Sequence, residues 1–149
     1  MSTIHAERLS FRTSAEVEML AHEFADCTLP RERWTHQAHL TVALWYLARH
    51  TRAEATRLIR EGIKRYNRAC GVRTTPTSGY HETLTLFWIR IVGGYLERAA
   101  GDSRSLVHLV NGLLSDHDTS LPLNYYSRER LMSGEARARW VEPDLKALD

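Results

Sequence analysis

Apolar residues return every three or four positions along most of this chain, and nowhere do they alternate convincingly with polar ones at every second position. That spacing marks helices with one buried face, so the expected fold is all-α. Five main helices follow from the stripes and their punctuation. Ser14 to Ala25 carries Val17, Leu20, Ala21 and Phe24 on one face, with Ser14 as N-cap and Glu16 and Glu18 in the acid-favouring first turn. After the Thr28-Leu29-Pro30 turn a second helix runs to about His50. Its apolar face, Leu40, Ala43, Leu44 and Leu47 widened by Trp45 and Tyr46, suits a central, well-buried position. The third opens with a capping box, Thr51 to Glu54, and turns Ala55, Leu58, Ile59, Gly62, Ile63 and Tyr66 away from Arg57, Arg60, Lys64 and Arg68. A loop from Cys70 to Ser78 leads to a fourth helix from Gly79 to Ala99. Gly101 then breaks the chain before a fifth, which starts at an Asp102 cap and carries Leu106, Leu109, Val110, Leu113 and Leu114. One or two short helices are expected between Ser127 and Val141.

The 149 residues suit a single domain, with 1–13 read as a flexible N-terminus. Short connections favour antiparallel neighbours in an up-and-down bundle. If so, the C-terminal ends of the first, third and fifth helices meet the N-terminal ends of the second and fourth. One end then collects Asp26, Cys27, His36, His39, Tyr66, Asn67, Cys70, His81, Glu82, Asp116, His117, Tyr125 and Tyr126. The opposite end, with His50, Glu97 and Arg98, offers little chemistry.

A net charge of +2 predicts neither nucleic acid nor a membrane surface as partner. The basic face of the third helix is interrupted by Glu54 and Glu61, which makes it a solvated face rather than a phosphate-binding one. No stretch approaches the roughly 18 apolar residues of a membrane span, and Met1 to Thr13 has no signal-peptide core, so a cytoplasmic protein is expected. Eighteen Arg against two Lys suggests the GC-rich coding of some bacteria. Cys27 and Cys70 form neither a disulfide framework nor a C-x-x-C pair and are expected as reduced thiols.

The sharpest feature is Trp34-Thr35-His36-Gln37-Ala38-His39-Leu40, because residues three apart share a helix face. His36 and His39 extend the core stripe of Leu40, Ala43 and Leu47 and should point inward. In the second feature, Gly79-Tyr80-His81-Glu82-Thr83-Leu84-Thr85, His81 leads into Leu84, Thr85 and Trp88 on the buried side. Three inward histidines near positive helix ends stay neutral, which suits a divalent metal such as zinc or iron with an open position for substrate. The competing reading is that they hydrogen-bond in a polar pocket or cap helix ends. A zincin is excluded, since Thr85 stands where H-E-x-x-H needs its second histidine.

The two histidine segments, followed by Phe87-Trp88, resemble those of a group of small bacterial all-helical proteins with Trp-Thr-His-x-x-His-Leu and Tyr-His-Glu-Thr segments. The similarity extends to Tyr126-Ser127 and to Glu142-Pro143-Asp144-Leu145. It brings no activity with it and implies only that the two histidine segments belong together.

The expected function is a small metal-dependent enzyme acting on a small molecule. His36, His39 and His81 would be the ligands, Glu82 and Tyr80 the acid–base candidates, and Trp34, Thr85, Trp88 and Tyr125 the pocket walls. The alternative is a non-catalytic protein that binds a small ligand in the same pocket. Neither reading requires a nucleic acid or a membrane, and self-association stays open.

Overall fold

The computed structural model describes residues 10–101 and 104–148. It is all-α: α1 (Ser14–Ala25), α2 (His36–Leu47), α3 (Arg52–Ala69), α4 (Glu82–Arg98) and α5 (Leu106–Asp116) form the body, and two short helices, α6 (Arg128–Leu131) and α7 (Gly134–Ala138), follow. Among the described residues the one β-type pairing is an isolated bridge between Thr75 and Ser78. No helix among them is long and apolar enough to cross a membrane.

The helix starts follow capping chemistry. Thr13, Thr35, Thr51, Ser127 and Ser133 each accept a hydrogen bond from a backbone N–H in the first turn of the helix that follows, meeting one donor the helix cannot satisfy internally. The cap of α1 is thus Thr13 rather than Ser14, whose hydroxyl instead accepts from Val107 N at the start of α5. Asp102, expected to cap α5, lies outside the described residues; α5 follows Ser105. Only part of the expected flexible N-terminus falls within the described residues. There Phe11 is buried, and its backbone exchanges two hydrogen bonds with the Asn111 side chain, at 3.1 and 2.9 Å, which fixes it to α5.

Helix α2 is the centre of the bundle and packs on α1, α3, α4 and α5. Ala38, Leu40, Thr41, Val42, Ala43, Leu44 and Tyr46 are all buried, so it is enclosed on nearly every side, as its broad apolar face requires. It is shorter at both ends than the sequence suggests. A 3-10 turn, Arg31–Arg33, fills part of the approach, and the helix stops at Leu47.

The helix ends cluster as the alternation of directions demands. Tyr66, near the end of α3, donates to Leu29 O at 2.7 Å beyond the end of α1, and Arg65 reaches Ala25 O at 3.3 Å. The C-terminal segment makes a second cluster, with Tyr126, Leu131, Ala136 and Val141 buried around Phe87 of α4. Thr83 joins this cluster to α4: its hydroxyl donates to Arg139 O at 2.8 Å and accepts from Val141 N at 3.2 Å.

Candidate functional site

The starts of α2 and α4 open onto one cavity of about 450 Å³. His36, His39, His81, Trp34, Tyr80, Thr85 and Trp88 all line it, and Val42, Ala43, Ile59, Ile63, Leu84 and Ile89 supply an apolar floor. The two histidine segments, some forty positions apart in sequence, do therefore share a pocket.

On the α2 side, Thr35 ends the extended approach and caps the helix, accepting from Ala38 N at 3.2 Å. His39 lies one turn further on, with Nδ1 2.7 Å from Thr35 O. A carbonyl only accepts, so Nδ1 carries the proton and Nε2 keeps a lone pair. The ring lies against Trp34 at 3.8 Å between centroids, and Trp34 in turn stacks on Phe24 at 4.6 Å. Burial drives the His39 pKa down to about 4; the Thr35 bond opposes this, and the neighbouring His36 adds to it. His36 meets the ring of Trp88 edge-on at 4.8 Å. Its Nε2 is buried and has no hydrogen-bond partner. Burial lowers its pKa too, against a pull upward from Asp118.

On the α4 side His81, Thr85, Glu82 and Tyr80 all have hydrogen-bond partners within the protein. His81 is the N-cap of α4: Nδ1 accepts from Leu84 N at 3.1 Å, which leaves Nε2–H to donate to Leu131 O at 2.8 Å. Thr85 donates its hydroxyl back to His81 O at 2.8 Å. Glu82 faces the other way. Arg60 grips it through Nε at 3.1 Å and Nη2 at 2.7 Å, and Tyr80 OH donates to it at 2.6 Å. Burial would raise the Glu82 pKa, but the bonds from Arg60 and Tyr80 outweigh it and hold the carboxyl below its usual range. Burial, and then the bond to Glu82, push the Tyr80 phenol well above its ordinary value.

Two expected site residues stand elsewhere. Glu82 lies about 100° around the helix from His81, and it lines an adjacent cleft of about 570 Å³ instead of the cavity. Tyr125 is absent from the cavity wall because its ring packs on Phe87 at 5.6 Å, with the Lys146 ammonium 5.0 Å from it, inside the C-terminal cluster. The three-histidine metal set also lacks its third lone pair, since both nitrogens of His81 are bonded to the backbone. Among the described residues no group of three or more His, Cys, Asp or Glu side chains is placed to hold a metal ion.

The cavity also includes residues that sequence reasoning passed over. Arg31 and Asn67 contribute polar groups, and Val72 closes one side. Asn67 was placed at the correct end of the bundle, but nothing in its own sequence context distinguished it from the surface polar residues of α3. No family model matches this chain, and neither a curated protein nor a solved structure matches it.

Proposed function

We propose that this chain binds a small, largely apolar organic molecule between the starts of α2 and α4. One observation carries the reading: a cavity of about 450 Å³, mostly apolar in its lining, is walled in part by His36, whose ring nitrogen Nε2 is buried and has no hydrogen-bond partner. The volume falls in the range of small-molecule sites, which combine apolar walls with a few placed polar groups. Leaving a polar atom buried and unbonded costs about 1–3 kcal/mol, so a ligand hydroxyl or amide at His36 removes a penalty the empty protein carries. His39 Nε2 supplies a second acceptor on the same face, and with depressed pKa values both rings are neutral at pH 7. Trp34 and Trp88 provide flat walls for a ring or a short chain.

The metal-dependent enzyme is the less well supported reading. His81 has no lone pair to give, and a Glu82 held ionised beside a Tyr80 held protonated makes a poor acid–base pair near neutrality. Isothermal titration with 1-naphthol and naphthalene tests the favoured reading. One naphthol should bind per chain, more tightly than naphthalene, and the hydroxyl's advantage should vanish in His36→Leu. Ala43→Phe, which fills the cavity floor, should abolish binding while the far-ultraviolet helix signal stays. Absence of saturable binding, or binding untouched by Ala43→Phe, would sink the reading.

A further inference from the structure

The cavity does not end at Tyr80. Its wall of Asn67, Val72 and Tyr80 is shared with the adjacent cleft, so the two spaces are neighbours across a few side chains. Their chemistry differs sharply. The cleft is lined by Lys64, Arg68, Arg73 and Arg137, and among the described residues Glu82 is its one acidic side chain. Glu82 cannot neutralise all four: its carboxylate is gripped by Arg60 through Nε and Nη2 and by Tyr80 OH, and of the cleft's cations it helps to balance Lys64.

None of the four forms an ion pair with a described carboxylate, although Lys64 lies close enough to Glu82 to help hold its carboxyl down. Arg137 is oriented by backbone carbonyls alone, with Nη1 2.8 Å from Gly79 O and Nε 3.3 Å from Pro76 O. Lys64 sits over the Tyr80 ring at 4.8 Å, on the wall the two spaces share. Arg68 and Arg73 make no ion pair with any described residue. The contrast with the N-terminal half of the same helix is direct: two turns earlier on α3, Arg57 is paired with both Glu54 and Glu61. A cluster of like charges without counter-ions is unfavourable to assemble, and a bound anion relieves it.

We propose that the molecule held in the cavity is an organic anion, with its apolar body among His36, Trp88 and Ile89 and a carboxylate or phosphate in the Lys64–Arg68–Arg73–Arg137 cleft. This rests on the cavity being a ligand site and adds the class of ligand. Tyr80 and Asn67 stand at the junction, where the body of such a molecule passes into its head group. Arginine forks and a lysine ammonium suit either oxyanion, so both are tested.

The experiment compares 1-naphthol, 1-naphthaleneacetate and 1-naphthyl phosphate by isothermal titration of the full chain at low salt. At least one anion should bind about tenfold more tightly than naphthol, a gain consistent with several partly exposed charge contacts, and the advantage should shrink as salt is raised. The stronger of the two anions identifies the head group. In Lys64→Glu/Arg73→Glu the ratio of anion to naphthol affinity should fall to near one, whereas Arg57→Glu, two turns away and outside the cleft, should leave it unaltered. Naphthol binding as tightly as both anions overturns the anion proposal and leaves the cavity reading intact. An anion preference that survives the double charge reversal also overturns it. If none of the three binds, both fall together.

Discussion

The two walls of the cavity use the same residue type for opposite purposes. On the α4 wall, His81 spends both ring nitrogens on the backbone, one to start the helix and one to fasten Leu131 and the C-terminal segment. On the α2 wall, His36 has a buried nitrogen with no partner, and His39 keeps one lone pair after bonding Thr35. A histidine count therefore cannot reveal a site; the unspent hydrogen-bonding capacity can. The α4 histidine is committed to the scaffold, and under the proposed reading the α2 wall is where a ligand has something to satisfy.

The largest expected effect is acid sensitivity, and it belongs to the α2 wall. His39 has a folded pKa of about 4 against the usual 6.5. Between those values the unfolded chain binds more protons, so stability rises with pH there, and it is lost as the pH falls from 6.5 toward 4. The full shift corresponds to at most about 3 kcal/mol, less whatever water reaching the half-buried ring screens. The depressed pKa values of His36 and His81 act in the same direction. Urea unfolding at pH 7 and pH 4.5 should show the loss, and His39→Gln should flatten it. An equally steep loss in His39→Gln would break the assignment to this ring.

Next comes a direct contrast between walls. His81→Ala removes the α4 cap and leaves Leu131 O without its donor, so it should cost about 2 kcal/mol. His36→Leu removes an orphaned polar atom and should change stability by less than about 1 kcal/mol in either direction. Equal costs from urea midpoints would erase the difference between the walls. Smaller than the His81 effect, Glu82→Gln should cost about 1 kcal/mol, because it weakens the bidentate Arg60 contact at a partly exposed site.

Most of the fold was legible because period and caps are local. The Thr51 cap, the stripe of α3 and the breadth of α2 each mean one thing to a chain seeking a core, although the Glu54 half of the expected box is turned to Arg57. Alternating directions then brought His36, His39 and His81 to one end. What the sequence could not show is which hydrogen bonds the histidines had already made. The partner of His81 Nε2 lies fifty residues away at Leu131, and Arg137 enters the basic cleft from a five-residue helix with no local signal. The Glu82 position was readable in part: a residue at 100° to His81 needs a wide cavity to share it, and the angle places Glu82 in the neighbouring cleft instead.

The smallest expected effect is that of zinc, and it bears directly on how the two walls differ. If His36, His39 and His81 shared a metal, zinc would stabilise the folded chain by about 2.7 kcal/mol at one hundred times its dissociation constant. For a protein of this size that raises the melting temperature by several degrees. The geometry gives zinc at most two imidazoles from α2, because freeing His81 would sacrifice both the α4 cap and the Leu131 bond. Thermal unfolding at pH 7.5 with micromolar zinc should therefore shift by less than about 1 °C. His81→Ala should respond no differently from the unaltered chain once its own lower stability is subtracted. A large zinc shift that disappears in His81→Ala would mean that the α4 histidine gives up its cap to bind metal, and the division between scaffold wall and ligand wall would have to be withdrawn.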